Sequence, residues 1–265
     1  MTAVNLTKLN NEIHALIDVF TRPAEFHQQL SKLFGFYSVQ VFRSGQMTHE
    51  SARLKKYHLP MLVLMQLERQ LRRRCEENPQ AAFRLYEELI NDPYAEVTSL
   101  AASILGCVPA EEAVQTLELI NLQGISWERD DRLLDFLQRS TQNIIPYAAQ
   151  AWLHYLEVTL PIASDNTPRY GLLLLQISIY NDAFENLPFF FRQFLLYFPK
   201  ANLRYRAEYI AIFEELYRRY PEESLHFFEQ VLVMMDNDSV YRLFRRFLPT
   251  LNEPERSRFR ELSKG

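Results

Sequence analysis

Apolar residues recur three and four positions apart along most of this chain, the spacing that gathers them on one face of an α-helix. Val97, Leu100, Ala101, Ile104 and Leu105 keep that spacing most closely and predict a helix over residues 93–106 with a single buried stripe. Asp92 stands where an N-cap would, and Gly106 where a helix would end. Residues 79–90 and 110–123 predict two more helices, joined to the first by the short turns that antiparallel helical hairpins need. Farther on, Leu203, Ala207, Ile210, Phe213, Tyr217 and Tyr220 form another stripe, with Arg204, Arg206, Glu215 and Arg218 elsewhere on the cylinder.

Proline punctuates these runs. Pro79, Pro93, Pro109, Pro146, Pro168, Pro188, Pro221 and Pro254 each open one, and proline suits a first turn because its φ is already helical and its missing N–H would have had no partner there. From Pro109 the steps to Pro146, Pro188, Pro221 and Pro254 are 37, 42, 33 and 33 residues, about the length of a two-helix repeat. Only 6 glycines accompany 13 prolines, which disfavours hairpins and tight turns. The expected fold is therefore all-α, an α-solenoid of about six stacked helical hairpins. Residues 59–265 would form the repeats. Residues 1–58 would form an N-terminal cap, with helices over 5–20 and 23–34. Its end is irregular, because Phe36-Tyr37-Ser38-Val39-Gln40-Val41-Phe42 alternates like a strand between Gly35 and Gly45. Glu255, Arg256, Arg258, Arg260 and Glu261 would make a polar C-terminal cap.

The segment Asn91-Asp92-Pro93-Tyr94-Ala95-Glu96-Val97-Thr98-Ser99-Leu100-Ala101-Ala102-Ser103-Ile104-Leu105-Gly106 resembles a HEAT repeat, with that family's Asp-Pro turn, a valine four residues after the proline, small residues and then Leu-Gly. The likeness is close over these 16 residues and elsewhere extends only to repeat length and proline placement. It implies a right-handed superhelical stack whose extended surface binds a partner. Thr98 stands where HEAT repeats often carry an arginine, so the stacking bond of that arginine is not carried over.

Charge is unevenly distributed beneath a net charge of −4. Residues 1–75 hold 11 Lys/Arg against 5 Asp/Glu, whereas residues 76–140 hold 4 against 13. A basic head and an acidic shoulder could join two copies of the chain or orient a charged partner. The 48% hydrophobic content is that of a globular chain rather than a disordered one. Cys75 and Cys107 lie in no ligand spacing and read as buried thiols in a reducing compartment. No charged-then-apolar leader opens the chain, and the greasiest stretch, residues 172–198, is broken by Asn181, Asp182, Glu185, Asn186 and Arg192. It predicts two buried helices, no membrane span and a cytoplasmic protein.

The side chains that carry chemistry are scattered. His14, His27, His49, His58, His154 and His226 show no metal-ligand spacing, and neither a phosphate loop nor a nucleophile elbow occurs, so no metal, cofactor or catalytic residue is assigned. Trp127-Glu128-Arg129-Asp130-Asp131-Arg132 reads as a polar helix start. HEAT-like solenoids also include DNA alkylation repair glycosylases, which use tryptophan and an acidic residue in a basic groove. Trp127, Trp152, Asp130 and Asp131 are the material here for such a site, but no motif of that family aligns on them. The net acidity weighs against a nucleic-acid partner. The candidate partner-binding residues are the exposed cations: Arg72 and Arg73, beside Arg69 and Arg74 at a helix end, and Arg242, Arg245 and Arg246 opposite Leu243 and Phe247. Phe189-Phe190-Phe191 cannot all face one stripe, so part of this run belongs to a seam or a partner surface. The expected function is a non-catalytic scaffold or adaptor that binds a protein, with a nucleic-acid-binding solenoid as the alternative.

Overall fold

A computed structural model of the chain describes residues 5–38, 55–234, 242–244, 247, 253–254 and 256–257. Their regular elements are helices: α1 (Leu6–Ile17), α2 (Pro23–Tyr37), α3 (Met61–Glu77), α4 (Pro79–Leu89), α5 (Ala95–Gly106), α6 (Ala113–Ser126), α7 (Leu133–Ser140), α8 (Ile144–Tyr147), α9 (Ala149–Asn166), α10 (Pro168–Tyr180), α11 (Leu187–Leu195), α12 (Arg206–Arg219) and α13 (Pro221–Met234). The fold is all-α. Among the described residues the β-pairing is confined to an isolated parallel bridge between Lys55 and Tyr94.

Proline opens α2, α4 and α10, stands in the first turn of α11, and begins α13. Pro146 does not open a helix, since it is the third residue of the short α8, and two other expected starts move inward by a few residues. Helix α5 begins at Ala95, because the Asp92 carboxylate accepts the Tyr94 N–H at 2.7 Å and holds Pro93 in a turn instead of capping the helix. After Pro109 a 3-10 turn over Ala110–Glu112 precedes α6.

The chain forms two compact units, one of residues 1–120 with 134–148, the other of 121–133 with 149–265. In the first unit α3 packs against α1 and α5, and α4 against α2 and α5. Leu9, Ile13, Phe26, Leu30, Phe34, Val63, Leu67, Leu85, Leu89, Leu100 and Leu105 are sealed in its core. Cys75 and Cys107 are buried there as free thiols. Phe36 and Tyr37 belong to α2 rather than to an extended segment, since Tyr37 Oη donates to Glu12 of α1 at 2.7 Å and prolongs the helix. Val39 to Phe42 lie outside the described residues, as do Glu255, Arg258, Arg260 and Glu261. Where the chain is again described it is pinned to the start of α5. Lys55 N–H donates to Pro93 O and Lys55 O accepts from Ala95 N–H, while the Glu96 carboxylate takes the N–H groups of Tyr57 and His58 at 3.1 and 2.8 Å.

Gly106 ends α5, as expected, and also lets another backbone come close. A Cβ at this position would stand 1.9 Å from the carbonyl oxygen of Arg139 in α7, nearer than any side-chain carbon can sit.

In the second unit α10 packs against α9 and α12, and α12 against α13. Residues 172–198 supply most of α10 and all of α11, as their broken apolar run predicts. Among the described residues no single helix is long and apolar enough to cross a membrane. The buried stripe of α12 is Tyr209, Ile212, Phe213 and Leu216, with Tyr205 just ahead of it, one helical step away from the expected set. Leu203 is exposed because it lies in a 3-10 turn before the helix, and Tyr209 takes the inward position in place of Ala207. Leu243, Phe244 and Phe247 are buried, and Phe213 meets the rings of Phe228, Phe244 and Phe247 at 5.0, 5.3 and 4.7 Å.

A similar sequence separation recurs in part of the polar network of each unit. Hydrogen bonds between helices join Glu68 to Ser103, Ser103 to Arg139 and Ser99 to Asp135 in the first unit, at separations of 35, 36 and 36 residues. In the second unit Asn121 joins Tyr155, and Leu160 and Asp165 of α9 join Tyr197 and Lys200 in the turns after α11, at 34, 37 and 35 residues, while the bonds between α10 and α12 span 31 to 40.

Candidate functional site

The arginines singled out from the sequence divide into paired and outward-facing groups. Arg72 and Arg73 are exposed on the last turns of α3, where Arg73 Nε donates to Glu77 at 2.7 Å, and Arg74 reaches the same carboxylate at 3.4 Å. Arg73 is 84% exposed and its partner 43%, so this pair contributes little to stability and leaves the cations facing water. Arg242 is exposed and its carbonyl accepts from Arg206 at 3.5 Å. Arg245 and Arg246 lie outside the described residues. The structure therefore places Arg72 and Arg73 side by side and Arg242 in the other unit.

Both tryptophans are committed to packing. Trp152 is buried, and its Nε1–H donates to Ser178 Oγ at 3.1 Å. Trp127 is also buried, with the Arg132 guanidinium 4.1 Å from its ring centroid. Asp130 holds that guanidinium with bonds of 3.0 and 2.7 Å. Glu128 turns inward, where its carboxylate accepts the N–H groups of Arg169 and Tyr170 at 3.0 and 2.7 Å and so satisfies the opening turn of α10. Burial pushes the Glu128 pKa above the usual carboxylate value despite these bonds. Arg169 in turn pairs with Glu208 at 2.9 Å. The acidic run is thus a folded joint within the second unit, in keeping with a polar lead-in to α7.

Three positions 35 and 36 residues apart make a ladder in the first unit. Glu68 of α3 accepts from Ser103 of α5 at 2.9 Å and from Arg139 of α7 at 2.7 Å, while Arg139 also donates to Ser103 at 3.0 Å and to Asp135 at 2.8 Å. Thr98, at the position where HEAT repeats often have arginine, is buried and donates to Ala95 O at 3.0 Å. The arginine that bridges neighbouring helices here is Arg139, which no local pattern distinguishes. His27 of α2 is a second cross-link, its ring nitrogens 3.1 Å from Glu88 and 2.7 Å from Asp92. Burial draws its pKa down, but the hydrogen bonds and charges of the two carboxylates outweigh it and hold the imidazole above its ordinary value.

Part of the exposed surface is apolar. In the second unit Leu122 and Ile125 of α6 and Val158 and Ile162 of α9 are between 49% and 67% exposed. Tyr155 Oη donates to Asn121 at 3.4 Å and ties α9 to the C-terminal half of α6. Leu122 and Val158 are 36 residues apart and Ile125 and Ile162 are 37, the separation of the hydrogen-bonded pairs. Leu196, just past α11, is exposed 34 residues farther on. Four aliphatic side chains left in water at matching positions are not the polar face of an amphipathic helix. Sequence periodicity misses them, because each falls outside the buried stripe of its own helix.

Comparison with protein-family models, with curated proteins and with solved structures finds no match to this chain.

Proposed function

We propose that this chain is a HEAT-like, right-handed α-solenoid that acts as a non-catalytic scaffold and binds a protein partner through its helical-repeat surface. Support for the stacked-hairpin reading comes from long-range hydrogen bonds, six of which span 34 to 37 residues, about one repeat length, while others span from 26 to 42. The single observation that carries the functional reading is the apolar row of Leu122, Ile125, Val158 and Ile162. Exposed aliphatic carbon costs solvation free energy of roughly 25 cal/mol per Å², and covering it is what a protein partner supplies. A phosphate backbone would gain nothing from it.

The test is a comparative capture from native lysate with the purified chain and with an Ile125→Asp/Ile162→Asp variant. Both positions are exposed, so the melting temperature should stay nearly unchanged. Quantitative mass spectrometry should show at least one protein retained by the wild type and lost by the folded variant. Identical capture by both proteins would sink the assignment of this row.

A further inference from the structure

A groove of about 510 Å³ lies between α11 and α13 in the second unit, apart from the α6/α9 row and sharing no residue with it. Its floor follows from three consecutive phenylalanines on one helix. Phe189 and Phe190 turn inward and are buried, and the 100° step per residue then leaves Phe191 only partly buried at the groove. There it stacks on the buried Phe227 of α13, with ring centroids 4.8 Å apart and planes 24° from parallel. Leu187 extends the apolar floor along α11.

The rim has the opposite character. Glu222 and Glu223, in the first turn of α13, stand exposed beside the groove, with His226 one turn on. The helix dipole accounts for acids at that position, but not for the open phenylalanine next to them. Among the described residues neither glutamate has an ion-pair partner. The nearby cations are engaged elsewhere: Arg218 with Glu215, Arg219 with Asp182, and Arg192 over the Phe189 ring at 5.7 Å. His226 faces Glu229 at 3.7 Å.

We propose that this groove binds a peptide segment of a protein partner in which a bulky apolar side chain is followed closely by lysine or arginine. The apolar side chain packs on Phe191 and Phe227, and the cation lies between Glu222 and Glu223. The groove's volume suits one such anchor with its neighbours, and peptide-recognition grooves commonly divide the work in this way, with apolar pockets giving affinity and charges giving register. Acidic peptides and nucleic acids are repelled by the same two carboxylates.

The experiment is selection of random dodecamers displayed on phage against the immobilised full chain. The expected consensus contains Leu, Phe or Trp within a turn of Lys or Arg. A fluorescein-labelled consensus peptide is then titrated by anisotropy. Glu222→Gln/Glu223→Gln should weaken it about tenfold at low salt and flatten its salt dependence, since two exposed charge pairs contribute on that scale. Phe191→Ser should abolish binding while circular dichroism shows a folded chain. Should Phe191→Ser unfold the chain, Leu187→Ser reads the same floor. Absence of a consensus, an acidic consensus, or a peptide indifferent to the glutamate pair would overturn the proposal. The Ile125→Asp/Ile162→Asp variant should bind the peptide like wild type, so a negative result here leaves the α6/α9 row standing and a negative result there leaves the groove.

Discussion

Replacing Gly106 by alanine sets a local rule against a tertiary one. Gly106 closes α5, and by helix propensity alone the substitution should stabilise the chain by up to about 1 kcal/mol. The structure forbids that gain. The new Cβ would stand 1.9 Å from Arg139 O and 2.9 Å from Arg139 C, and these are backbone atoms that cannot rotate away. Restoring an ordinary contact of 3.4 Å requires α7 to retreat by the difference, about 1.5 Å. Overpacking of this kind costs roughly 1–3 kcal/mol. The retreat also stretches the bonds from Arg139 to Ser103 and Glu68, now 3.0 and 2.7 Å, and charge-assisted bonds of this type contribute about 1.5–3 kcal/mol. The net effect should be a loss of about 2–4 kcal/mol, a fall in melting temperature of roughly 5–15 °C for a unit of this size. Gly35→Ala is the matched control, because an added Cβ there meets nothing within 4 Å and the propensity gain should survive. Thermal melts followed by circular dichroism at 222 nm (the standard helix band) compare the three proteins. A Gly106→Ala chain as stable as wild type would refute the close approach of α5 to α7 and, with it, the account of Arg139 as a bridge.

Further outcomes follow from the polar cross-links. Because the His27 pKa is raised above its ordinary 6.5, its contribution to stability is complete below pH 6.5 and is lost as pH rises through the raised value; melting temperatures across roughly pH 5 to 8 should show that decline in wild type and not in His27→Gln. Arg139→Gln and Glu68→Gln should each destabilise by about 1–3 kcal/mol, and the double variant by clearly less than the sum in urea unfolding, as members of one network require. Glu128→Ala should cost about 1–3 kcal/mol by stripping the Arg169 and Tyr170 N–H groups of their acceptor, whereas Glu128→Gln should recover much of that loss, which differential scanning calorimetry can read.

How much of this was legible beforehand depends on the range of each interaction. The helical class, the joined run of α4, α5 and α6 and the split of residues 172–198 follow from local periodicity and proline chemistry, both of which act within one or two turns. Asp92 shows where that range ends. An aspartate before a proline reads as a cap, yet one of its oxygens fastens the Tyr94 turn and the other holds His27, 65 residues earlier in the chain. The α12 stripe fails for a similar reason: Leu203 fits the period, but a 3-10 turn puts it out of phase with the helix that follows.

The surfaces lay further out of reach, because they are defined by the placing of one helix against another rather than by any single helix. Ile125 and Ile162 are each an ordinary exception on their own helix, and it takes the bond from Tyr155 to Asn121, which ties α9 to α6, to relate the two. The placing of helices also explains why one arginine outweighs the clusters that a sequence draws to the eye. Arg72 and Arg73 stand in water at a helix end, where the dipole suffices to account for them. Arg139 stands alone in sequence and yet reaches Glu68, 71 residues away, across an intervening helix. Phe191 follows the opposite course: two neighbours fill the core, geometry turns the third ring out, and the glutamates of another helix decide what it can meet.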